Sequence, residues 1–159
     1  MRLRGSFFAV LLLTGLVPPS NADAQDVPAS RSVSSHPYSG YVAEAAHRFG
    51  IPEAWIWAVM RVESGGRRNA VSRAGAMGLM QIMPGTWAQL RARHRLGSDP
   101  FDPRDNIMAG AAYLRAMYDR YGNASAMLAA YNAGPGRYDQ YLRGRPLPAE
   151  TRAYLARLA

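Results

Sequence analysis

Residues 55–84 read WIWAVMRVESGGRRNAVSRAGAMGLMQIMP, and this stretch decides the fold. Its first part places apolar residues three and four positions apart, as on one face of a helix, and adds further apolar residues on the other side. The pattern predicts a helix that is buried nearly all round. Gly65 and Gly66 predict its end, because glycine adopts the left-handed conformation that closes many helices. The apolar positions are Ile51, Ala54, Trp55, Ile56, Trp57, Ala58, Val59, Met60 and Val62.

Glu63 lies in the last turn of this predicted helix. Apolar surroundings disfavour a charged carboxylate, and the negative end of the helix dipole disfavours it further. Both effects raise the pKa of the carboxyl group, which suits a side chain that must donate a proton near neutral pH. Judged by its position alone, a solvent-exposed Glu near a helix end is an equally good interpretation.

The segment that follows Glu63 favours a ligand-binding interpretation. Residues 64–98 contain no Asp or Glu, and residues 74–84 combine small residues and methionines with the amide of Gln81. Glycines allow the backbone to approach a ligand closely, and flexible methionines line adaptable grooves. A packing loop of small residues explains any one of these features but explains their combination less well.

Four motifs in the same order resemble the soluble lytic transglycosylases, a family with a lysozyme-like catalytic domain. Each motif alone is a weak signal, but the ordered set, which spans roughly residues 39–159, is specific. The resemblance implies a compact lysozyme-like helical domain with a substrate cleft. The motifs are Glu63-Ser64-Gly65-Gly66 with the following Gly78-Leu79-Met80-Gln81-Ile82-Met83-Pro84, then Asn106-Ile107…Gly110…Tyr113-Leu114, then Ala130-Tyr131-Asn132-Ala133-Gly134-Pro135-Gly136, and finally Glu150-Thr151…Tyr154.

The residues outside these motifs also predict an all-α fold with little or no β structure, because apolar side chains recur at helical rather than alternating spacing. Asp102 and Asn123 are expected to cap the helices that they precede. Gly50 and Gly122 are expected to end helices. The predicted helices cover residues 42–49, 52–64, 85–96, 103–121, 124–132, a short segment from residue 138, and 148–158.

The N-terminus predicts export. Arg2 and Arg4 precede an apolar run at residues 7–17, and Ala22-Asp23-Ala24 fits a signal-peptide cleavage site. Residues 1–24 are therefore predicted to be a signal peptide that is removed near Ala24, which places the mature protein in the periplasm without a stable membrane anchor. An uncleaved anchor is the alternative, although the apolar run is short for a membrane span.

The mature chain divides into two predicted parts. Residues 25–38 are rich in Ser, Pro and small residues and predict a disordered leader. Residues 39–159 form the predicted catalytic domain, and this length suffices for one domain with its own core. We expect the mature protein to be a monomer.

The amino-acid composition limits the classes of partner that the protein is expected to bind. All 19 basic residues are Arg, and the formal net charge of +8 fits an anionic partner such as a cell wall, a membrane surface or a nucleic acid. The export signal and the lack of an interleaved aromatic–basic motif disfavour nucleic acid. The chain contains no Cys, so it forms no disulfide and carries no lipid-modified Cys. No metal-ligand cluster or phosphate loop is evident in the sequence, and we predict no cofactor and no metal.

The resemblance implies cleavage of the β-1,4 bond between N-acetylmuramic acid and N-acetylglucosamine, with formation of a 1,6-anhydromuramoyl product. Ordinary glycosidases need two carboxylates, whereas here Glu63 serves first as acid and then as base while the sugar's own C6 hydroxyl attacks. The resemblance further implies that peptidoglycan glycan strands contact a set of residues in the cleft. Ser72 and Gln81 are expected to hydrogen-bond the sugar, Met83 to pack against it, Tyr131 to contact the reacting centre or hold Glu63, Asn132 to support that wall, and Glu150 to act as a supporting group.

Several alternatives stay open at this stage. Tyr131 is also suited to the core, Asn132 to capping a helix end, and Glu150 to holding the closing helix. The whole domain is also compatible with a goose-type-lysozyme-like muramidase that uses water, or with a non-catalytic wall-binding assembly protein. By analogy alone, a compact exported domain of this family resembles members that serve secretion, conjugation or pilus machinery.

Overall fold

A computed structural model describes residues 36–159, and within this range the fold is all-α, as predicted. The predicted signal peptide, and the predicted leader as far as residue 35, lie outside the described residues. Two isolated β-bridges, Val71 with Met77 and Met77 with Ile82, shape the loop between the second and third helices. The helices are α1 (Ser39–Phe49), α2 (Glu53–Ser64), α3 (Pro84–His94), α4 (Pro103–Tyr121), α5 (Ala124–Ala133), α6 (Pro135–Leu142) and α7 (Ala149–Leu158).

The helix ends follow the predicted signals. Gly65 and Gly122 adopt left-handed conformations, with φ of 62° and 80°, at the ends of α2 and α4. The Asp102 side chain accepts a hydrogen bond of 2.9 Å from the Asp105 N–H at the start of α4. Asn123 caps α5 in the same way. These caps supply partners to backbone N–H groups that the helix itself leaves free.

Helix α4 is the centre of the described domain, since α1, α2, α3 and α5 all pack against it. Gly110 lies on its buried side, where α4 meets the loop that precedes α3. A Cβ atom at Gly110 would lie 2.6 Å from the Cβ of Met80. The missing side chain therefore allows the loop to rest directly on α4, and this loop later forms one wall of the cleft.

Helix α2 differs from the prediction, because it is not buried nearly all round. Ile56, Val59 and Met60 are buried, whereas Ala54 is exposed and Trp57 is only partly buried. The reason is that α2 packs against α1, α4 and α7, and these contacts do not cover its whole surface. The Trp57 indole instead meets the His36 ring edge-on, with centroids 4.6 Å apart, so the end of the predicted leader contacts α2.

Across residues 36–159, none of the helices has the length and apolarity that crossing a bilayer would require.

A Gly110→Ala substitution tests the close approach of the loop to α4. Alanine favours helix by up to about 1 kcal/mol over glycine, but overpacking a tight contact costs about 1–3 kcal/mol. We expect a net loss of about 1–2 kcal/mol in the free energy of unfolding, measured by denaturant titration. The matched control is Gly85→Ala in α3, where a Cβ would meet open space; it should leave stability unchanged or slightly higher. Equal effects of the two substitutions would contradict the packing argument.

Candidate active site

A cleft of about 340 Å³ lies where the end of α2, the loop before α3, the end of α5 and the start of α7 meet. All seven residues that the sequence nominated for the site contribute to its wall, although they come from four separate parts of the chain. The lining residues are Glu63, Ser72, Ala74, Ala76, Gln81, Met83, Tyr131, Asn132, Ala133, Pro148, Glu150 and Thr151. Neighbours that the sequence analysis did not nominate include the buried Thr151 and the small residues Ala74 and Ala76.

Glu63 is half-buried in this cleft, one residue before the end of α2. The pKa of its carboxyl group is raised from 4.5 to about 7, chiefly by burial and to a smaller extent by the charge of Glu150. The Tyr154 hydroxyl and the positive charge of Arg157 oppose this shift without cancelling it. The carboxyl group is therefore about half protonated near neutral pH, which is the state that a general acid requires.

Tyr154 reaches this site because α7 packs against α2. Its hydroxyl is buried and makes no hydrogen bond of standard geometry with any described residue, but it lies close enough to Glu63 to affect the pKa of that carboxyl group. The sequence analysis quoted Tyr154 in the last of the four motifs but predicted no role for it in the site. Tyr154 follows Glu150 by four residues and Thr151 by three, so all three lie on one face of the helix. This spacing is the sequence signal that could have placed Tyr154 in the site.

The cleft wall formed by residues 77–82 is held by a buried amide. Asn106 is 0 % exposed, and its Oδ1 accepts a hydrogen bond of 2.7 Å from the Met80 N–H. Its Nδ2 donates to the carbonyl oxygens of Met77 at 3.0 Å and Pro100 at 2.8 Å. Gly78, at φ +77°, leaves no room for a side chain, because a Cβ would lie 2.4 Å from the same Nδ2. The motif search quoted Asn106 but assigned it no role.

Two further side chains fix the same loop. The buried Ser64 hydroxyl donates to the Leu79 carbonyl oxygen at 2.8 Å, which joins the loop to the end of α2. The Tyr131 hydroxyl donates to the Met80 carbonyl oxygen at 2.7 Å, which joins it to α5. Burial, and then the charge of Glu63, raises the pKa of Tyr131 well above its usual range. Tyr131 therefore lines the cleft and also holds its wall, and its hydroxyl donates to Met80 rather than to Glu63.

Gln81 lines the cleft, and one polar atom of its side chain has no hydrogen-bond partner among the described residues. Its Nε2 donates to the carbonyl oxygens of Gly78 at 2.8 Å and Ala70 at 3.1 Å. Both amide hydrogens are thus engaged, and the Oε1 atom remains to accept a hydrogen bond from a ligand N–H or O–H. The backbone of Gln81 has φ +50°, an uncommon conformation for a residue other than glycine. The loop contacts described above over-determine this conformation.

Ser72 and Met83 lie on the outer part of the same wall. The Ser72 hydroxyl oxygen accepts a hydrogen bond of 3.0 Å from the Ala76 N–H, so it closes a turn while its own proton remains available to a ligand. Met83 is 44 % exposed. A ligand that covers this apolar side chain removes its surface from water, which contributes favourable free energy to binding.

The cleft continues past Asn132. A second cavity of about 270 Å³ shares five of its lining residues with the cleft and extends towards Thr86, Tyr113 and Pro135. Asn132 is half-buried and lines both parts, whereas Glu150 is exposed at the opposite rim, in the first turn of α7. Because they share these residues, the two cavities adjoin and form one groove, which offers a ligand more room than the cleft alone. Among residues 36–159, no group of three or more His, Asp or Glu side chains is arranged to hold a metal ion.

Comparisons with known proteins agree with this geometry. The sequence model of the transglycosylase SLT domain family matches residues 40–151. A membrane-bound lytic murein transglycosylase C from Pectobacterium atrosepticum is 37% identical over 131 residues, which cover 70% of this chain and 35% of the relative. This chain therefore spans only about a third of the length of that relative.

Two solved structures are similar over most of the described domain. The 70 kDa soluble lytic transglycosylase from Escherichia coli superimposes with a TM-score of 0.68 at 34% identity, covering 76% of this chain and 22% of that protein. A complex of the 70 kDa soluble lytic transglycosylase with bulgecin A gives a TM-score of 0.69 at 32% identity, covering 77% and 23%.

The raised pKa of Glu63 predicts how the stability of the domain depends on pH. The pKa of this carboxyl group is about 7 in the folded state and 4.5 in the unfolded state, so the folded state binds its proton more tightly. The resulting contribution to the free energy of unfolding is fully present below pH 4.5 and is lost as the pH rises through 7. Between about pH 4 and pH 8 we expect the wild type to lose about 3 kcal/mol relative to a Glu63→Gln variant, which cannot ionise.

Denaturant titrations of both proteins across this pH range measure the difference. Glu53→Gln, which removes an exposed acid in the first turn of the same helix, is the control and should keep the wild-type pH dependence. A pH-independent difference between the wild type and Glu63→Gln would show that Glu63 is not desolvated in the folded state.

Proposed function

This chain belongs to the transglycosylase SLT domain family, and from that premise we propose that it cleaves peptidoglycan without water. The proposed bond is the β-1,4 linkage between N-acetylmuramic acid and N-acetylglucosamine, and the product carries a 1,6-anhydromuramoyl end. One observation carries the proposal. The cleft holds a single half-buried acid, Glu63, with a pKa of about 7, and the only other carboxyl group among its described lining residues is the exposed Glu150.

In the first proposed step, protonated Glu63 donates its proton to the glycosidic oxygen. The bond between that oxygen and C1 of the muramic residue breaks, its electron pair remains on the oxygen, and the N-acetylglucosamine side leaves as an alcohol. Positive charge develops at C1, where the acetamido group of the same sugar can stabilise it. The Glu63 carboxylate that remains is costly in its desolvated position, so it is a strong base for the next step.

In the second proposed step, the Glu63 carboxylate removes the proton from the C6 hydroxyl of the muramic residue. The C6 oxygen then forms a bond to C1, which closes the anhydro ring and returns Glu63 to its protonated form. The attack is intramolecular, so orientation in the groove provides part of the rate and no second carboxylate has to activate water. This fits the placement of Glu150 at the exposed rim.

The other cleft residues bind and orient the sugar in this proposal. The free Oε1 of Gln81 accepts a hydrogen bond from a sugar hydroxyl or acetamido N–H, and the Ser72 hydroxyl donates one. Met83 packs against an apolar sugar face. Tyr131 keeps the loop in place through Met80, and Asn132 contacts the strand where the groove continues. The position of each of these residues in the lining of the cleft supports the role proposed for it.

The proposed site of action is the periplasm, where peptidoglycan is accessible. Export through the predicted signal peptide accounts for this location, and the excess of Arg fits an anionic wall. The association with secretion, conjugation or pilus machinery stays a prediction from analogy.

The mass of the digestion products tests the reaction. Purified peptidoglycan digested by the wild type should yield muropeptides that are lighter by one water than those with reducing ends. Digestion in ¹⁸O-labelled water should leave the new ends unlabelled. Glu63→Gln should lower turnover by about 10³-fold or more, since it removes both the acid and the base. Labelled reducing ends would instead identify a muramidase that uses water, and undiminished digestion by Glu63→Gln would exclude Glu63 as the catalytic residue.

The pH–rate profile tests the state of Glu63. We expect kcat/KM to fall above about pH 7 as one proton is lost, because that profile reports the pKa of the free enzyme's acid. Tyr154→Phe should move this fall to higher pH, because the Tyr154 hydroxyl lowers the pKa of Glu63. An unshifted profile in an active, folded Tyr154→Phe variant would contradict an interaction between the two side chains.

Binding of bulgecin A provides a further check on the cleft. The 70 kDa soluble lytic transglycosylase forms a complex with this compound, and we propose that the compound binds this chain too and that it does so in the cleft. Protection against thermal unfolding that saturates with bulgecin A would support the proposal, and a Gln81→Ala variant is the control in which protection should weaken.

A further inference from the structure

A separate cavity of about 320 Å³ lies on another face of α2. None of its lining residues lines the cleft or the second cavity beyond Asn132. Three of them, Trp57, Met60 and Arg61, are three and four positions apart and therefore share one face of α2. The complete lining is His36, Trp57, Met60, Arg61, Gly65 and Gly66.

The walls of this cavity combine an apolar surface with a cation. Trp57 and the buried Met60 supply the apolar part, and the His36 ring stands edge-on to Trp57 at 4.6 Å. Arg61 is exposed, and it makes no ion pair with an acid among residues 36–159. A guanidinium group beside an aromatic wall fits a ligand that carries both a carboxylate and small apolar groups.

The cavity begins close to the catalytic acid. Gly65 follows Glu63 by two residues, so their Cα atoms are at most about 7.6 Å apart. Gly65 and Gly66 adopt φ of +62° and +79°, and a Cβ at either position would meet open space. The two glycines therefore end α2 and also leave the cavity open at the end that is nearest to Glu63.

We propose that this cavity binds the stem peptide that is attached to the muramic residue in the cleft. Stem peptides carry free carboxylates and alanine methyl groups, which match Arg61 and the wall formed by Trp57 and Met60. A four-residue peptide extends over about 14 Å, enough to reach from a sugar beside Glu63 to the far side of the α2 end. This inference rests on the proposed function, because it takes peptidoglycan as the substrate.

Direct binding tests the inference without requiring catalysis. The full chain carrying Glu63→Gln is titrated with the free tetrapeptide L-Ala-γ-D-Glu-diaminopimelate-D-Ala, and heat or chemical-shift changes give the Kd. Adding Arg61→Gln should raise this Kd about two- to fivefold, the range expected for loss of one exposed ion pair. Arg93→Gln removes the same charge from an exposed position on α3 and should leave the Kd unchanged. Absence of saturable peptide binding, or equal effects of the two substitutions, would overturn the proposal.

Kinetics then show whether the cavity acts on the substrate. Two substrates are compared, peptide-bearing glycan strands and strands from which an amidase has removed the peptides. The ratio of the first KM to the second should rise about two- to fivefold in Arg61→Gln and stay constant in Arg93→Gln. If the wild type digests neither substrate while the peptide still binds, the proposed function fails and the peptide site stands. If both substrates are digested and the ratio does not change, the peptide site is excluded while the proposed function stands.

Discussion

The hydrogen bonds of Asn106 hold the architecture of the cleft together. A fully buried amide on α4 accepts from Met80 and donates to Met77 and Pro100, so it fixes both sides of the loop that forms the cleft wall. Leaving such buried groups without partners costs about 1–3 kcal/mol each, and this cost gives the loop one conformation. Gln81 is held at positive φ within that loop. The position of the Gln81 side chain in the cleft wall therefore depends on an amide in the core.

The environment of Glu63 likewise depends on contacts between elements that are distant in sequence. The packing of α7 on α2 removes water from the carboxyl group and supplies the Tyr154 hydroxyl, which only partly offsets the loss of hydration. A better hydrogen-bonded Glu63 would give a more stable domain at neutral pH but would leave less of the carboxyl group protonated there, because stabilising the carboxylate lowers its pKa. The buried Tyr154 hydroxyl, with no hydrogen bond of standard geometry to the described residues, fits a site that leaves its acid incompletely solvated.

Much of this arrangement could be predicted because it depends on local chemistry. Helix ends at Gly65 and Gly122 and the cap at Asp102 follow from the backbone needs of single residues, and the motifs located the cleft residues. The partners of those residues could not be predicted, because they depend on tertiary contacts. The hydroxyl of Tyr154 beside Glu63 follows from the packing of α7 on α2, and the bonds of Asn106 cross at least six residues of sequence. The exposed side of α2 was missed because an apolar pattern does not show how many neighbours a helix has.

The partly exposed face of α2 means that this helix is not only a core element. A helix as rich in apolar residues as α2 is normally a core element in a small domain, but its Trp57 remains partly exposed. Burying an indole contributes free energy in proportion to the apolar area removed from water, so its exposure costs stability that a bound partner would recover. One face of α2 thus positions the acid, and another presents an aromatic wall and a cation, Arg61, that forms no ion pair with an acid among residues 36–159. The two faces meet at Gly65 and Gly66, where the absence of side chains leaves the end of α2 open between them.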